Sequence, residues 1–461
     1  MSKQIHKTVP VAKGDETEIE IINPAYGGGG VGRACGFTVF VRNAIPGSAV
    51  ICRIEEVKKN YARGSAVKTI KESSDYTPSN CPYFGECGGC GWFNIKYEAQ
   101  MRFKKGFLDR ELEKNAGEEK KTASGIKECR ENLYYRNRAQ YKISEENGVF
   151  KMGFYRDRSH EVIDIEKCLI VDEKINETAT VIKEALAAPG ARPSVYDEAS
   201  GKGCLRHICI RVNGAKEVLA AFVVRDESGK EKLKKTAAIL REKVQGLKGV
   251  VLNINPGKGN RVFGDKETVL EGESFITENI NGVDFKLASD TFFQVNEKMF
   301  KEMLGFIEKH LYEGAKVLDF YGGVGALTLP FHGMLKSITV AEINERSINM
   351  LKDIIKENRI KNAFCAGGDA ADSAGELLKK ENPDIIIFDP PRKGIQKDVI
   401  EEVKKAGTEN IIYISCDPVT FARDIKEFRE KYNVEEIVPL DMFPHTYHLE
   451  TMCFMKVKKN G

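Results

Sequence analysis

From about Ser274 onward the chain alternates short apolar runs with helical patterns, and few folds tolerate that alternation. The runs are "AKVLDF", "SITVAEI", "NAFCAGGD", "DIIIFDP" and "NIIYISC", and stretches such as "RSINMLKDIIKENR" between them carry apolar residues at helical spacing. Short apolar strands joined by helices predict a doubly wound parallel sheet, because the crossovers cover both of its faces. Such a sheet holds its ligands at the carboxyl ends of its strands. Glu342, Asp369, Asp389 and Cys416 stand at those ends and are the first candidates for chemistry.

The rest of the chain reads differently. At 461 residues it exceeds one core and predicts roughly two to four domains. Residues 1–73 hold short β-rich runs between Gly and Pro turns, the pattern of a small β-barrel. Residues 74–273 mix strands with helices, and residues 274–461 form the parallel sheet. No apolar run approaches the roughly 20 residues that span a bilayer, and the first residues lack the apolar centre of a signal peptide. A cytoplasmic protein with no membrane partner is expected, and a monomer. Net charge is only +3, so nucleic-acid binding would need local basic patches. One candidate is Lys58, Lys59, Tyr61, Arg63 and Lys68 in the β-rich region; charges guarding an edge strand are the plainer alternative.

Twelve cysteines in a reducing compartment argue for metal or catalysis rather than disulfides. Cys35, Cys52, Cys209 and Cys453 sit among apolar neighbours and read as core residues. "CPYFGECGGCGWF" is different: Cys81, Cys87 and Cys90 are spaced C-x5-C-x2-C with glycines between. Glycine amides can turn toward thiolate sulfur, which suits an iron–sulfur cluster, with Cys168 as the fourth ligand. Zinc is the rival, but its structural sites usually pair two short-spaced knuckles.

"KVLDFYGGVGALTLPF" reads as strand, glycine turn and helix. Gly322, Gly323 and Gly325 let the backbone approach a ligand, and a helix opening at Ala326 would point amides at it. Glu342 lies at the spacing of a ribose-binding acid, and Asp369 could meet an adenine edge. "IIIFDPPRKG" holds Asp389 in a turn stiffened by two prolines, which favours methyl transfer from S-adenosylmethionine. Arg392 follows where amino-methylating enzymes carry an aromatic ring, and so points to carbon as the acceptor. A thiolate adding to carbon 6 of uracil activates carbon 5, and Cys416 has the position for it. Glu450 in "DMFPHTYHLETMCF" can remove the carbon 5 proton; His448 is the rival base.

Taken together, "SCDPVTFARD", "DPPRKG", "DMFPHTYHLE", "FFQVN", the glycine turn and the cysteine cluster resemble the RNA 5-methyluridine (uracil-5-)methyltransferases of the TrmA and RumA type. "YGGGGVGRACGFTVFV" with "AIPGSAV" resembles the TRAM domain, an OB-like RNA-binding β-barrel. The resemblance implies a Rossmann-like S-adenosylmethionine-dependent methyltransferase domain behind that barrel and a central α+β domain with a [4Fe-4S] cluster. Cys416 would be the nucleophile and Glu450 the base. Gln294, Tyr321, Gly323, Gly325, Glu342, Asp369 and Asp389 would face S-adenosylmethionine, and Cys81, Cys87, Cys90 and Cys168 would hold the cluster. The implied substrate is RNA, 23S rRNA before tRNA. RNA 5-methylcytosine formation and a non-catalytic RNA-binding or electron-transfer protein are the alternatives. Two positions depart from the family pattern. Ala326 replaces a polar residue after the glycine turn. Asp417 replaces Asn and should raise the Cys416 pKa unless Arg423 or another cation offsets it.

Overall fold

The computed structural model describes residues 10–116 and 125–459. They form two compact units, one holding the described residues up to Phe107 with Phe443–His448, the other Leu108–Met442 and the residues from Leu449 on. The boundary between them falls inside the helix Tyr97–Ala116. Among the described residues no helix is long and apolar enough to cross a membrane.

In the first unit, strands Glu16–Pro24, Gly30–Ala34, Phe37–Arg42, Ala49–Val57 and Tyr61–Lys71 close into a barrel. Period-two alternation builds it: Ile19, Ile21, Val39, Val41, Ile54 and Ala62 fill the interior. Cys52 packs there as expected, and Cys209 and Cys453 are likewise buried. Cys35 is not a core residue. It is exposed, and with Gly36 it forms a two-residue hairpin turn in which both φ angles are positive (47° and 81°). Its apolar neighbours in sequence belong to the flanking strands.

The second unit carries two seven-stranded sheets. The first is mixed; its central strands Leu205–Val212 and Val218–Val224 are buried on both faces. The helices Glu173–Ala187 and Lys230–Lys243 pack with it. The second sheet has strands β1 (Lys316–Phe320), β2 (Ser337–Glu342), β3 (Ala363–Gly367), β4 (Ile385–Phe388), β5 (Asn410–Ser415), β6 (Tyr432–Leu440) and β7 (Glu450–Val457). Its order is β3-β2-β1-β4-β5-β7-β6. The first five are parallel, as the alternation predicts, and β7 lies antiparallel between β5 and β6. Helices α1 (Glu345–Glu357), α2 (Ala370–Glu381), α3 (Lys397–Ala406) and α4 (Pro418–Phe428) separate the strands. Every residue of β4 and β5 is buried.

After β1 the chain turns through Tyr321, Gly323 and Gly325, all at positive φ (62°, 57° and 78°). No α-helix opens at Ala326. Tight turns lead instead to a single 3-10 turn at Leu329–Phe331. An α-helix from Ala326 would place Pro330 against the Ala326 carbonyl with no amide hydrogen to offer. Gly325 is needed twice over, because a Cβ there would also lie 2.8 Å from the Leu329 side chain. Gly325→Ala is therefore expected to lower unfolding stability by about 2–4 kcal/mol in a urea titration.

Candidate active site

The site is built by strand register. β5 and β7 pair from Asn410↔Lys456 to Ser415↔Thr451. The residues next beyond that pairing are Cys416 and Glu450, the first residue of β7, and the Glu450 carboxyl acts on the Cys416 thiol. On the other side of β5, parallel pairing with β4 brings the tip at Asp389 alongside. Two segments far apart in sequence thus deliver a thiol and a carboxyl to one end of the sheet.

The electrostatics bind these groups together. Cys416 is half-buried; burial, then the carboxyls of Glu450 and Asp389, push its thiol up to about 12, with Arg392 opposing. Glu450 is 6% exposed. Burial and Asp389 hold its carboxyl well above the usual carboxylate range, again against Arg392. Burial alone carries Asp389 up to about 7. Arg392 is therefore the cation that acts on both Cys416 and Glu450. Sequence reasoning left that part to Arg423 or another cation; the Arg423 guanidinium donates to Asp424 (Nε–Oδ1 2.8 Å) and to the Lys393 carbonyl. The signal lay in "DPPR": two prolines fix the turn that carries Arg392.

Asp417 raises the Cys416 thiol as expected, and it has a second task. Its carboxylate caps α4, accepting from the amides of Val419 (2.9 Å) and Thr420 (3.1 Å), where the helix dipole favours negative charge. It adds only the last-ranked push on the Cys416 thiol.

At the glycine turn, Glu342 ends β2 and accepts from the amide of Gly323 (3.0 Å) and from that of Asn344 (2.7 Å), so its carboxylate is oriented by the turn. Asp369 caps α2 through Ala371 (2.9 Å) and also accepts from the Gln396 side chain (3.2 Å). Tyr321 is half-buried and tilted against Phe388. Gln294 is half-buried, in a loop whose backbone carbonyls are held by half-buried Arg138 and buried Arg211. Its neighbour Phe292 is 75% exposed.

Sequence reasoning missed Asp319. This fully buried acid in β1 accepts from the Thr328 hydroxyl (2.9 Å), and its other oxygen has no hydrogen-bond partner. Burial pushes it up to about 7 against that bond, with Asp389 and Glu342 adding. A lone acid inside "KVLDF" was the available sign.

Of the two histidines near Glu450, His445 is a packed imidazole. Phe93 stacks on it (centroids 4.0 Å apart), and its amide donates to Gln100 (2.9 Å). His448 is half-buried, with its ring against Phe443 and Tyr447.

The four cluster cysteines are half-buried and form no disulfide. Cys81, Cys87 and Cys90 lie on one turn-rich loop of the first unit, and Cys168 is in the second. Among the described residues no group of three or more His, Cys, Asp or Glu stands close enough to hold a metal ion. The donor chemistry suits soft iron.

A thiol raised to about 12 is almost wholly protonated at neutral pH, and its thiolate fraction grows about tenfold per pH unit. Iodoacetamide labelling of the Cys416 peptide, followed by mass spectrometry, should climb without a plateau from pH 7 to 9.5. A midpoint near pH 8.5, with labelling levelling off toward pH 9.5, would show an ordinary cysteine.

Residues 96–458 match the family model of the tRNA (uracil-5-)-methyltransferases, and residues 10–67 match the TRAM domain. An uncharacterized RNA methyltransferase of Clostridium acetobutylicum is 35% identical over 98% of this chain and 99% of its own length. Another, from Halalkalibacterium halodurans, is 31% identical over 99% of this chain and 100% of its own. Among solved structures, the Pyrococcus abyssi tRNA (uracil-54, C5)-methyltransferase in complex with S-adenosyl-L-homocysteine is similar over 95% of this chain and 99% of that one. The identity there is 26% and the TM-score 0.76. With strand-tip acids, a glycine turn and an RNA-binding barrel already in place, these likenesses have one meaning: the chain belongs to the S-adenosylmethionine-dependent tRNA (uracil-5-)-methyltransferase family and is an RNA methyltransferase.

Proposed function

We propose that the chain forms 5-methyluridine in RNA, with Cys416 as nucleophile and Glu450 as base. The observation that supports this reading is the β5–β7 pairing, which ends just short of Cys416 and Glu450, with Asp389 and Arg392 acting on both. Cys416 loses its proton to solvent, the thiolate bonds to carbon 6 of uracil, and the electron pair of the 5,6 double bond moves into the carbonyl as an enolate. S-Adenosylmethionine supplies an electrophilic methyl group, which carbon 5 takes, leaving S-adenosylhomocysteine. Glu450 then accepts the carbon 5 proton, the double bond re-forms, and the Cys416 thiolate leaves. Arg392 offsets negative charge on Cys416 and Glu450 as each ionises. A paired uracil hides carbon 6 in the stack, so the target base is flipped out. Gln294, Tyr321, Gly323, Gly325, Glu342, Asp369 and Asp389 are assigned to the methyl donor, the Glu342 carboxylate toward its ribose.

For the substrate we take 23S rRNA first, from the resemblance to cluster-bearing enzymes with a TRAM domain. The Pyrococcus structure, a tRNA enzyme similar over nearly the whole chain, favours tRNA as the second reading. Residues 1–73, 74–273 and 274–461 are assigned to RNA binding, cluster support and methyl transfer. A monomer in the cytoplasm fits this work.

The experiment is methylation of unmodified 23S rRNA and unmodified tRNA by purified protein, read by nucleoside mass spectrometry. 5-Methyluridine from one RNA is expected; 5-methylcytidine, or no methylated nucleoside, would overturn the reading. Cys416→Ala should abolish turnover and form no covalent RNA adduct. Glu450→Gln should also stop turnover but retain the adduct, visible as a slow band on denaturing gels.

Donor chemistry alone supports a [4Fe-4S] cluster on Cys81, Cys87, Cys90 and Cys168. Anaerobically purified protein should then carry about four irons with broad absorption near 400 nm, and Cys168→Ser should lose both. Iron-free protein of full activity would remove the assignment.

A further inference from the structure

We propose that α4 clamps the turn that follows Asp389: Thr420, Arg423 and Asp424 are positioning residues that hold the backbone of residues 392–395 and so aim Arg392 at Cys416 and Glu450. This rests on the reading of Cys416 and Glu450 as the reacting pair. It also gives a task to the second half of "SCDPVTFARD", which the chemistry itself does not use.

The turn runs from Pro391 to Gly394 and is closed by the Gly394 amide, which donates to the Pro391 carbonyl (2.8 Å). Arg392 sits at its corner, exposed, and among the described residues no hydrogen bond or ion pair holds its side chain. The backbone therefore sets where its charge stands. Helical spacing puts Thr420, Arg423 and Asp424 on one face of α4, and each reaches the turn. The Thr420 hydroxyl donates to the Arg392 carbonyl (3.3 Å). The Arg423 guanidinium donates to the carbonyls of Lys393 (2.9 Å) and Ile395 (3.5 Å), and Asp424 accepts from the Ile395 amide (2.9 Å). The approach is close enough to require glycine at 394, where φ is 75°. A Cβ there would strike the Asp424 carboxylate and lie 2.5 Å from the Arg423 guanidinium.

Asp424 is the centre of the clamp. It is fully buried, and its two oxygens divide the work. Oδ1 accepts from Arg423 Nε (2.8 Å); Oδ2 accepts from the Ile395 amide and from the Tyr413 hydroxyl (2.8 Å). Tyr413 lies in β5, three residues before Cys416. One carboxylate thus ties the nucleophile's strand, the helix behind it and the turn that carries the cation. All of these partners are donors, so an amide in place of the carboxylate would set an NH2 group against at least one of them. An apolar side chain would pack α4 onto β5 without the cost of burying a charge, so the acid serves the turn rather than the core.

The test uses the full chain and iodoacetamide labelling of Cys416 from pH 7 to 9.5, read by mass spectrometry. The charged groups that act on this thiol are Glu450, Asp389, Arg392 and Asp417, so Asp424 and Arg423 affect it through the turn. Arg392→Gln sets the scale: labelling at a given pH should slow about tenfold as the thiolate loses its cation. Asp424→Asn should slow it by roughly threefold or more, and should add nothing in the Arg392→Gln background. Loss of a negative charge by itself would speed labelling, so the direction separates positioning from direct electrostatics. Arg423→Lys keeps the charge without the planar fork and should slow labelling in the same way. Cys453, fully buried in β7, stays unlabelled wherever the sheet is folded. If Asp424→Asn exposes it, Arg423→Lys decides, since that side chain is 51% exposed and its loss leaves the core intact. An unchanged rate in Arg392→Gln, an unchanged or faster rate in folded Asp424→Asn or Arg423→Lys, or effects that multiply in the double variant would overturn the proposal. Methylation is measured in parallel. A wild type that forms no 5-methyluridine but shows this labelling pattern would remove the proposed activity and leave the clamp standing. An active wild type whose labelling ignores Asp424 and Arg423 would do the reverse.

Discussion

The antiparallel seating of β7 against β5 is the constraint on which the site depends. In a sheet of parallel strands every carboxyl end lies on one side, and a strand's first residue lies on the other. Reversing one strand brings its first residue to the carboxyl side. Glu450 reaches Cys416 only for that reason. A slip of one residue in the ladder would turn the carboxyl to the opposite face of the sheet. The fully buried sequence of β5 and the mostly buried one of β7 hold the register.

Around that pair the protein gathers more acid than it can ionise. Asp319, Asp389 and Glu450 all have raised carboxyls, burial being the main cause and mutual repulsion adding at Asp319 and Glu450. A cluster of this kind costs stability as pH rises from the unfolded carboxyl range through the raised values, because the folded state holds protons that the unfolded state has released. Structural demands do not require such a cost, and it accumulates where chemistry needs it. On the proposed reading, a cationic methyl donor enters beside acids poised to ionise, and Arg392 steadies the thiolate and the base at the other end.

Charge is handled differently in the barrel. Its interior is apolar, and its circuit of hydrogen bonds has no open end.

Much of this was legible in the chain. The five parallel strands, the barrel, the tips at Glu342, Asp389 and Cys416 and the glycine turn all follow from local pattern, since alternation, turn residues and apolar runs act within a few residues. Local rules also explain two expectations that failed: Pro330 forbids the helix at Ala326, and the Cys35-Gly36 hairpin turn keeps Cys35 out of the core. What the sequence could not decide is which distant groups face one another. Arg392 is the cation that opposes the rise at Cys416, Asp417 caps its own helix, and Asp319 adds to the buried acids around Asp389. Residue type and local spacing determined the chemistry on offer. Strand order and register, which depend on packing across the whole sheet, decided which of it meets.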